Sequence, residues 1–296
     1  MDQPAVELRD LTFTYPTIDG QPRPGDQPIV RQLSLQLPRG SCTLLLGANG
    51  AGKTTLLRVL AGKHMVDRAA LQVMGEPPFH ATHLTTSNRL SYIGGNWDQD
   101  VAFAGYSQPL RADISAGAML ENVRGVGAAR RAMLLEVMDI NPAWRMHLVS
   151  DGQRRRVQIA MGLLHPFEVL LLDEVTVDLD VLARSSLMAF LRRECRERQA
   201  TVVYATHIFD GLDNWPTHIL FLSQGQAKVF EQVENIAELK SSRLMTWVVS
   251  ILRAEKTAAA ASQSEGEGWD TRRAAAPKQS TWNNGYIAGR LNSSIR

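Results

Sequence analysis

Residues 47–55 read Gly47-Ala48-Asn49-Gly50-Ala51-Gly52-Lys53-Thr54-Thr55, and their reading decides the fold. The spacing is Gly, four residues, then Gly-Lys-Thr, which is the pattern of a phosphate-binding loop. An apolar run, Thr43-Leu44-Leu45-Leu46, leads into it, and Thr55-Leu56-Leu57-Arg58-Val59-Leu60 leads out with helical character. Strand, loop and helix in that order are what the chemistry requires. The glycines let the backbone wrap closely and turn its N–H groups inward. The following helix N-terminus adds partial positive charge beside the phosphates. In this reading the whole stretch 47–55 cradles a nucleotide. Lys53 reaches its β- and γ-phosphates, and the Thr54 hydroxyl is a ligand of Mg²⁺.

Working outward, Val6–Tyr15, Ile29–Leu37, Leu71–Met74, Leu90–Ile93, Val169–Leu172 and Thr201–Ala205 read as strands, and Ile219–Leu222 with Gln226–Phe230 as a terminal hairpin. Helical patterns lie between them, at Asp151–Pro166 and Ser185–Arg198 among others. Strands alternating with helices imply an α/β core with crossover connections. Between Asp113 and Trp144 the pattern turns helical, with Asn141-Pro142 as a break, and reads as a helical subdomain inserted into the core. Its methionines Met133 and Met138 read as core filler. Pro16 to Pro28 holds four prolines and reads as a loop.

The run Val169-Leu170-Leu171-Leu172-Asp173-Glu174 resembles a buried parallel strand that ends in two acids. Downstream of a phosphate loop, Asp173 is placed to hold Mg²⁺ through water. Glu174, at the strand exit, is placed to polarise a water molecule as general base. His207 follows the run Thr201–Ala205, at the carboxyl end of a strand, where α/β folds put ligand-contacting groups. It is read as hydrogen-bonding the γ-phosphate and orienting water or Glu174. Val149-Ser150-Asp151-Gly152-Gln153 opens a helix whose first turn carries Arg154-Arg155-Arg156. On its own this is a helix cap with a basic turn.

Composition narrows the function classes. Lys and Arg number 32 against 30 Asp and Glu, for a formal charge of +2. No global field therefore argues for nucleic acid or an anionic membrane, and three arginines in one turn do not reverse that. The two cysteines, Cys42 and Cys195, fall in different segments. They argue against a disulfide framework or thiolate zinc and suit a reducing compartment. The N-terminal MDQPAVELRD does not read as a secretory signal. No segment approaches the about 20 apolar residues of a spanning helix. We therefore expect a cytoplasmic chain, with the nucleus as a further location. Past Lys240 the sequence changes. Residues 236–253 read as an amphipathic helix, with Ile236, Leu239, Leu244, Trp247, Val248, Ile251 and Leu252 on one face. Residues 254–280 read as a flexible linker, and 281–296 as either a docking tail or an unstructured end.

Taken in order, GANGAGKTT, VSDGQRRR, LLLDE, the Val177-Asp178-Leu179-Asp180 loop and His207 resemble an ABC-type ATPase domain, over about residues 1–235 with the helical subdomain at about 98–165. The resemblance implies a P-loop NTPase fold with a RecA-like core, an antiparallel β subdomain and that helical insertion. It implies ATP and Mg²⁺ as ligands, with Tyr15 stacking on adenine. It also implies a head-to-tail pair, as a homodimer or with a similar chain. In that pair Ser150, Gly152 and Gln153 would meet the ATP bound by the opposite chain, and Asp180 would close the seam.

Three departures matter. Asp151 replaces the signature's first glycine and brings a carboxylate near an anionic site. Val175 replaces the proline after the two acids. Tyr92-Ile93-Gly94-Gly95-Asn96-Trp97 stands where the family places a Gln that couples to membrane domains. With Ile18–Pro22, Val101–Gly105, Ala112–Ser115, SDGQRRRVQ and NNGYIAGRLNSSIR, these features resemble the soluble, standalone members of the family. Those are the plant subfamily I proteins and the yeast ATPase associated with the carbon-catabolite-repression/NOT transcription regulator. The implied partner is a transcription-regulator complex, contacted through Trp97 and the tail 282–291, with membrane domains disfavoured. Two other readings stay open: the energising subunit of a transporter with separate membrane chains, and a scaffold that binds ATP with little turnover.

Overall fold

The structure is a computed structural model that describes residues 3–23, 25–94 and 113–266. Its strands are β1 (Val6–Phe13), β2 (Val30–Leu37), β3 (Cys42–Gly47), β4 (Leu71–Val73), β5 (Leu90–Ile93), β6 (Val169–Asp173), β7 (Thr201–Ala205), β8 (His218–Ser223) and β9 (Gln226–Gln232). The helices are α1 (Lys53–Leu60), α2 (His83–Thr86), α3 (Ala116–Glu121), α4 (Ala128–Val137), α5 (Asp151–Leu163), α6 (Val181–Arg198) and α7 (Leu244–Gly266).

Six strands form the central sheet in the order β5-β6-β7-β3-β8-β9. It is parallel from β5 through β8, and β9 pairs antiparallel with β8 as the expected hairpin. A second, antiparallel sheet has the order β2-β1-β4. The architecture is the expected α/β one: a mostly parallel core sheet, a separate antiparallel β sheet and a helical segment inserted between β5 and β6.

The continuous apolar runs have a direct physical cause. Side chains alternate across a strand, and here both sheet faces are covered. Leu44, Leu46, Leu170, Leu172, Val202 and Tyr204 enter one core cluster, shared with α5 and α6. Leu45, Val169, Leu171, Val203 and Ala205 enter the other, shared with β1, β2 and α1. A strand buried on both faces needs no polar alternation.

The helical segment packs on the first cluster through Met119, Leu120, Leu134 and Met138. Met138 is fully buried and Met133 partly so, as expected of core filler. Ser115 caps α3 by accepting from the Ala118 amide at 3.2 Å. A largely buried ion pair, beside the bond from Arg130 Nε to Leu163 O at 3.0 Å, ties α4 to the core. Arg130 Nη2 meets Glu194 Oε2 at 3.0 Å, with side chains 13% and 5% exposed. Removing one partner of a buried pair strands the other charge. Glu194→Ala is therefore expected to destabilise the chain by about 3 kcal/mol, read from the midpoint of urea unfolding. A loss below about 1 kcal/mol would assign the pair to the weak surface class.

Several boundaries differ from expectation. Helix α6 begins at Val181, four residues before Ser185, because Asp180 Oδ1 accepts from the Ala183 amide at 2.9 Å and starts the helix there. At the C-terminal end, Ile236 and Leu239 lie in or beside 3₁₀ turns, Val233–Asn235 and Ala237–Lys240, rather than in the expected helix. Helix α7 starts at Leu244, whose N–H is taken by Asp213 Oδ1 at 2.9 Å, and it runs to Gly266. It thus continues through Ala254, where the sequence led us to expect a linker. Compact units span 1–252 and 253–296, and the described part of the second is helical.

Candidate nucleotide site

The site is built where β3 and β6 end. Strand β3 delivers Gly47 with φ 146°, and a Cβ there would lie 2.3 Å from the Leu222 carbonyl oxygen. Only glycine fits this approach. Ala48, Asn49 and Gly50 form the exposed crest. The Ala51 N–H turns back onto Ala48 O at 3.1 Å, and left-handed Gly52 precedes Lys53, the first residue of α1. Lys53 is buried, and its ammonium donates to Gly47 O at 2.8 Å and Ala48 O at 3.1 Å. Burial lowers its pKa, while the Glu174 and Asp173 carboxylates work in the opposite direction. The cation thus spans the concave side of the loop.

Thr54 faces the end of β6. Its hydroxyl donates to Asp173 Oδ1 at 3.2 Å, and the Tyr92 hydroxyl donates to Asp173 Oδ2 at 3.1 Å. Burial pushes the Asp173 pKa up, partly offset by those two hydrogen bonds, and the Glu174 charge raises it further. Glu174 sits at φ 52°, a left-handed conformation that is costly for this residue type. Its N–H is fixed to Ala205 O at 2.9 Å. That turn brings its Oε1 to 3.3 Å from His207 Nδ1. Loop, acid pair and histidine, separate in sequence, are therefore brought together by the parallel order β6-β7-β3.

The residues present suit Mg²⁺. Thr54 and Asp173 are hard oxygen donors in mutual contact. No cluster of three His, Cys, Asp or Glu forms a protein-only cage among the described residues. Such a donor set matches an ion that keeps waters and takes further oxygens from a phosphate substrate. The Lys53 ammonium, held against the Gly47 and Ala48 carbonyls, puts a cation inside the loop, which suits the phosphate.

Tyr15 lies on the same side of the molecule as α1, with its hydroxyl 3.2 Å from Thr55 Oγ1 and its ring edge-on to His64 at 5.1 Å. Ser150, Gly152 and Gln153 open α5. Ser150 Oγ accepts from the Gln153 amide at 3.2 Å, and Gln153 Oε1 accepts from the Ser150 amide at 3.0 Å, a reciprocal capping box. Asp151 does not cap the helix. It is exposed and meets Arg154 Nη1 at 2.5 Å. Among the described residues, no hydrogen bond joins Ser150, Gly152 or Gln153 to the 47–55 loop. Asp180 caps its own helix and also accepts from Arg156, which in turn bonds Asp139 Oδ2 at 2.8 Å. All three arginines of this turn are engaged by the fold. Gly95, Asn96, Trp97 and the tail 281–296 lie outside the described residues.

Two residues of the site escape sequence reasoning. Tyr92 holds Asp173 only because β5 pairs with β6 in the register Tyr92↔Leu171. Arg155 is buried although its neighbours look like a solvated basic turn. For Tyr92, the one available signal is an aromatic hydroxyl near the end of an apolar strand.

The family described as ABC transporter matches residues 30–177, half of the chain. The chain belongs to the ABC ATPase family. This ABC ATPase is 49% identical to "ABC transporter I family member 20" of Arabidopsis thaliana, over 98% of this chain and 91% of the relative. It is 39% identical to "CCR4-associated factor 16" of Saccharomyces cerevisiae, over 76% of this chain and 78% of that protein. These relatives set it beside the plant subfamily I proteins and a yeast protein named as a CCR4-associated factor. Among solved structures, a dimeric post-hydrolysis state of an ATP-binding cassette with ADP and Pi aligns at a TM-score of 0.58. Its identity is 20%, over 77% of this chain and 98% of that one, which shows a shared fold. No helix among the described residues is long and apolar enough to cross a membrane.

Proposed function

We propose that this ABC ATPase hydrolyses MgATP between two chains arranged head to tail, as a regulatory ATPase linked to a transcription-regulator complex rather than as a transporter subunit. The observation that carries the hydrolytic reading is the Glu174–His207 contact at 3.3 Å, beside an Asp173 already bonded to the phosphate loop through Thr54. The loop 47–55 binds the triphosphate through its amides, and Lys53 meets the β- and γ-phosphates. Tyr15, next to α1, takes the adenine. Magnesium, when bound, withdraws negative charge from the phosphate oxygens. Glu174 accepts the proton of the attacking water, and His207 Nδ1 holds the carboxylate in orientation. The partner side is supplied by the α5 N-terminus, whose dipole favours an anion. Asp151 does not oppose this reading, since Arg154 neutralises its carboxylate. Asp180 closes the seam from the start of α6. The likeness to the yeast CCR4-associated factor supports the transcription link, and the absence of the coupling Gln from the sequence supports a standalone role.

Pairing is tested by Ser150→Arg in a Glu174→Gln background. The bulky side chain obstructs the approach of a second chain's phosphate, and loss of the cap costs only about 1 kcal/mol. ATP affinity of the single chain is expected to persist, and the ATP-dependent dimer is expected to vanish in analytical ultracentrifugation. Dimers that persist would remove the α5 N-terminus from the proposed interface.

A further inference from the structure

The outer arginines of the α5 basic turn make ordinary surface ion pairs, but the middle one does not. Arg155 is 5% exposed, and its guanidinium is bonded in three directions. Nε donates to Val175 O at 3.2 Å, Nη2 to Gly94 O at 3.1 Å and Nη1 to Gln158 Oε1 at 3.3 Å. Burial lowers its pKa, against which the Asp178 charge works. A buried guanidinium is tolerated only where its donors are used. A lysine, with one compact ammonium, lacks the planar fork that here reaches carbonyls on two different strand exits.

The two carbonyls belong to the exits of neighbouring strands β5 and β6. Val175 directly follows Glu174, whose φ is 52° and whose own N–H is held by Ala205 O at 2.9 Å. A strained carboxylate-bearing residue persists only where its surroundings over-determine it. Here β7 holds the chain before the strained turn, and Arg155 holds it just after.

On the other side, a Cβ at Gly94 would lie 2.7 Å from the Tyr92 hydroxyl. That hydroxyl donates to Asp173 Oδ2 at 3.1 Å. With no side chain at Gly94, its carbonyl reaches Arg155 while Tyr92 keeps its bond to Asp173.

We propose that Arg155 is a positioning residue for hydrolysis: one guanidinium on the helix capped by Ser150 clamps the backbone beside Glu174 and beside the Tyr92 that holds Asp173. This inference rests on the hydrolytic reading above. It ties the α5 first turn, the segment assigned to the second chain's ATP, directly to the general base. The clamp is internal to each chain, so its effect on backbone order is present without nucleotide.

The test uses the full chain with Arg155→Lys and Arg155→Met, beside wild type and Glu174→Gln. Steady-state turnover, ATP affinity and backbone amide hydrogen exchange without nucleotide are measured for each. Arg155→Lys is expected to lower kcat about tenfold or more, as small misplacements of catalytic groups do. KM and ATP affinity stay within about twofold, because the residue touches no substrate. Exchange quickens at residues 174–177 and 92–94 and stays at the wild-type level at 47–54. Arg155→Met, which leaves both carbonyls unpaired, shows the same pattern more strongly. Wild-type kcat in both variants overturns the proposal. So does a fall in kcat accompanied by faster exchange throughout the sheet, which is what a merely structural residue produces. A wild-type chain that binds ATP yet turns over no faster than Glu174→Gln defeats the hydrolytic reading instead. The exchange arm then decides the clamp by itself: quickening confined to 174–177 and 92–94 supports it, and its absence overturns it.

Discussion

Lys53→Ala is expected to weaken ATP binding about a thousandfold while leaving the chain folded. A unit charge about 4 Å from another, at an effective dielectric of about 20, contributes about 4 kcal/mol, which is about a thousandfold in Kd. The side chain already lies across the loop, bonded to Gly47 O at 2.8 Å and Ala48 O at 3.1 Å. Burial works against its charge, and the Asp173 and Glu174 carboxylates offset only part of that, since its pKa stays lowered. A phosphate supplies the missing counter-charge, so the cation is worth most when the substrate is present. The fold does not depend on it in the same way. Ala48 is exposed at the loop crest, where water replaces the lost donor. Isothermal titration with ATP, beside a thermal midpoint for each protein, reads both halves of the expectation. Unchanged affinity in the variant would sink the assignment of the 47–55 loop.

The large elements were legible because their signals are local. A double-covered parallel strand reads as an apolar run, and the phosphate loop is a spacing of glycines before a lysine. The acid pair was legible because Asp173 and Glu174 end such a run. What was not legible depends on partners far away in sequence. Asp180 reads as a seam residue by resemblance, yet in the fold it also caps α6 and accepts from Arg156, which moves the helix start to Val181. The start of α7 is set by Asp213, 31 residues earlier, while the apolar period alone extends the pattern back to Ile236. Tyr92 becomes a partner of Asp173 only through the pairing of β5 with β6. Arg154, Arg155 and Arg156 look equivalent in the sequence, and packing gives them an exposed acid, two strand exits and a pair of aspartates respectively. Short-range pattern fixes elements, whereas side-chain chemistry is decided by register and long-range capping.

Glu174→Gln is expected to retain ATP affinity and lose turnover by about a hundredfold or more, the usual contribution of a positioned general base. The amide has the shape of the carboxylate, so the side chain can keep its contact with His207, now 3.3 Å. The left-handed turn at φ 52° is set by backbone contacts that the substitution does not touch. Only proton acceptance is removed, because an amide is not a base at neutral pH. Binding lies on other residues, Lys53 and the loop amides, so the two functions separate. The ATP-bound pair should therefore accumulate, which also supplies the background for the Ser150→Arg experiment. Phosphate release under excess MgATP, measured beside ATP affinity, makes the comparison. Turnover at the wild-type rate would show that Glu174 is not the base. If His207→Ala then abolished turnover while Glu174→Gln did not, the proton would have to leave through the imidazole, and the contact between the two side chains would position the histidine instead.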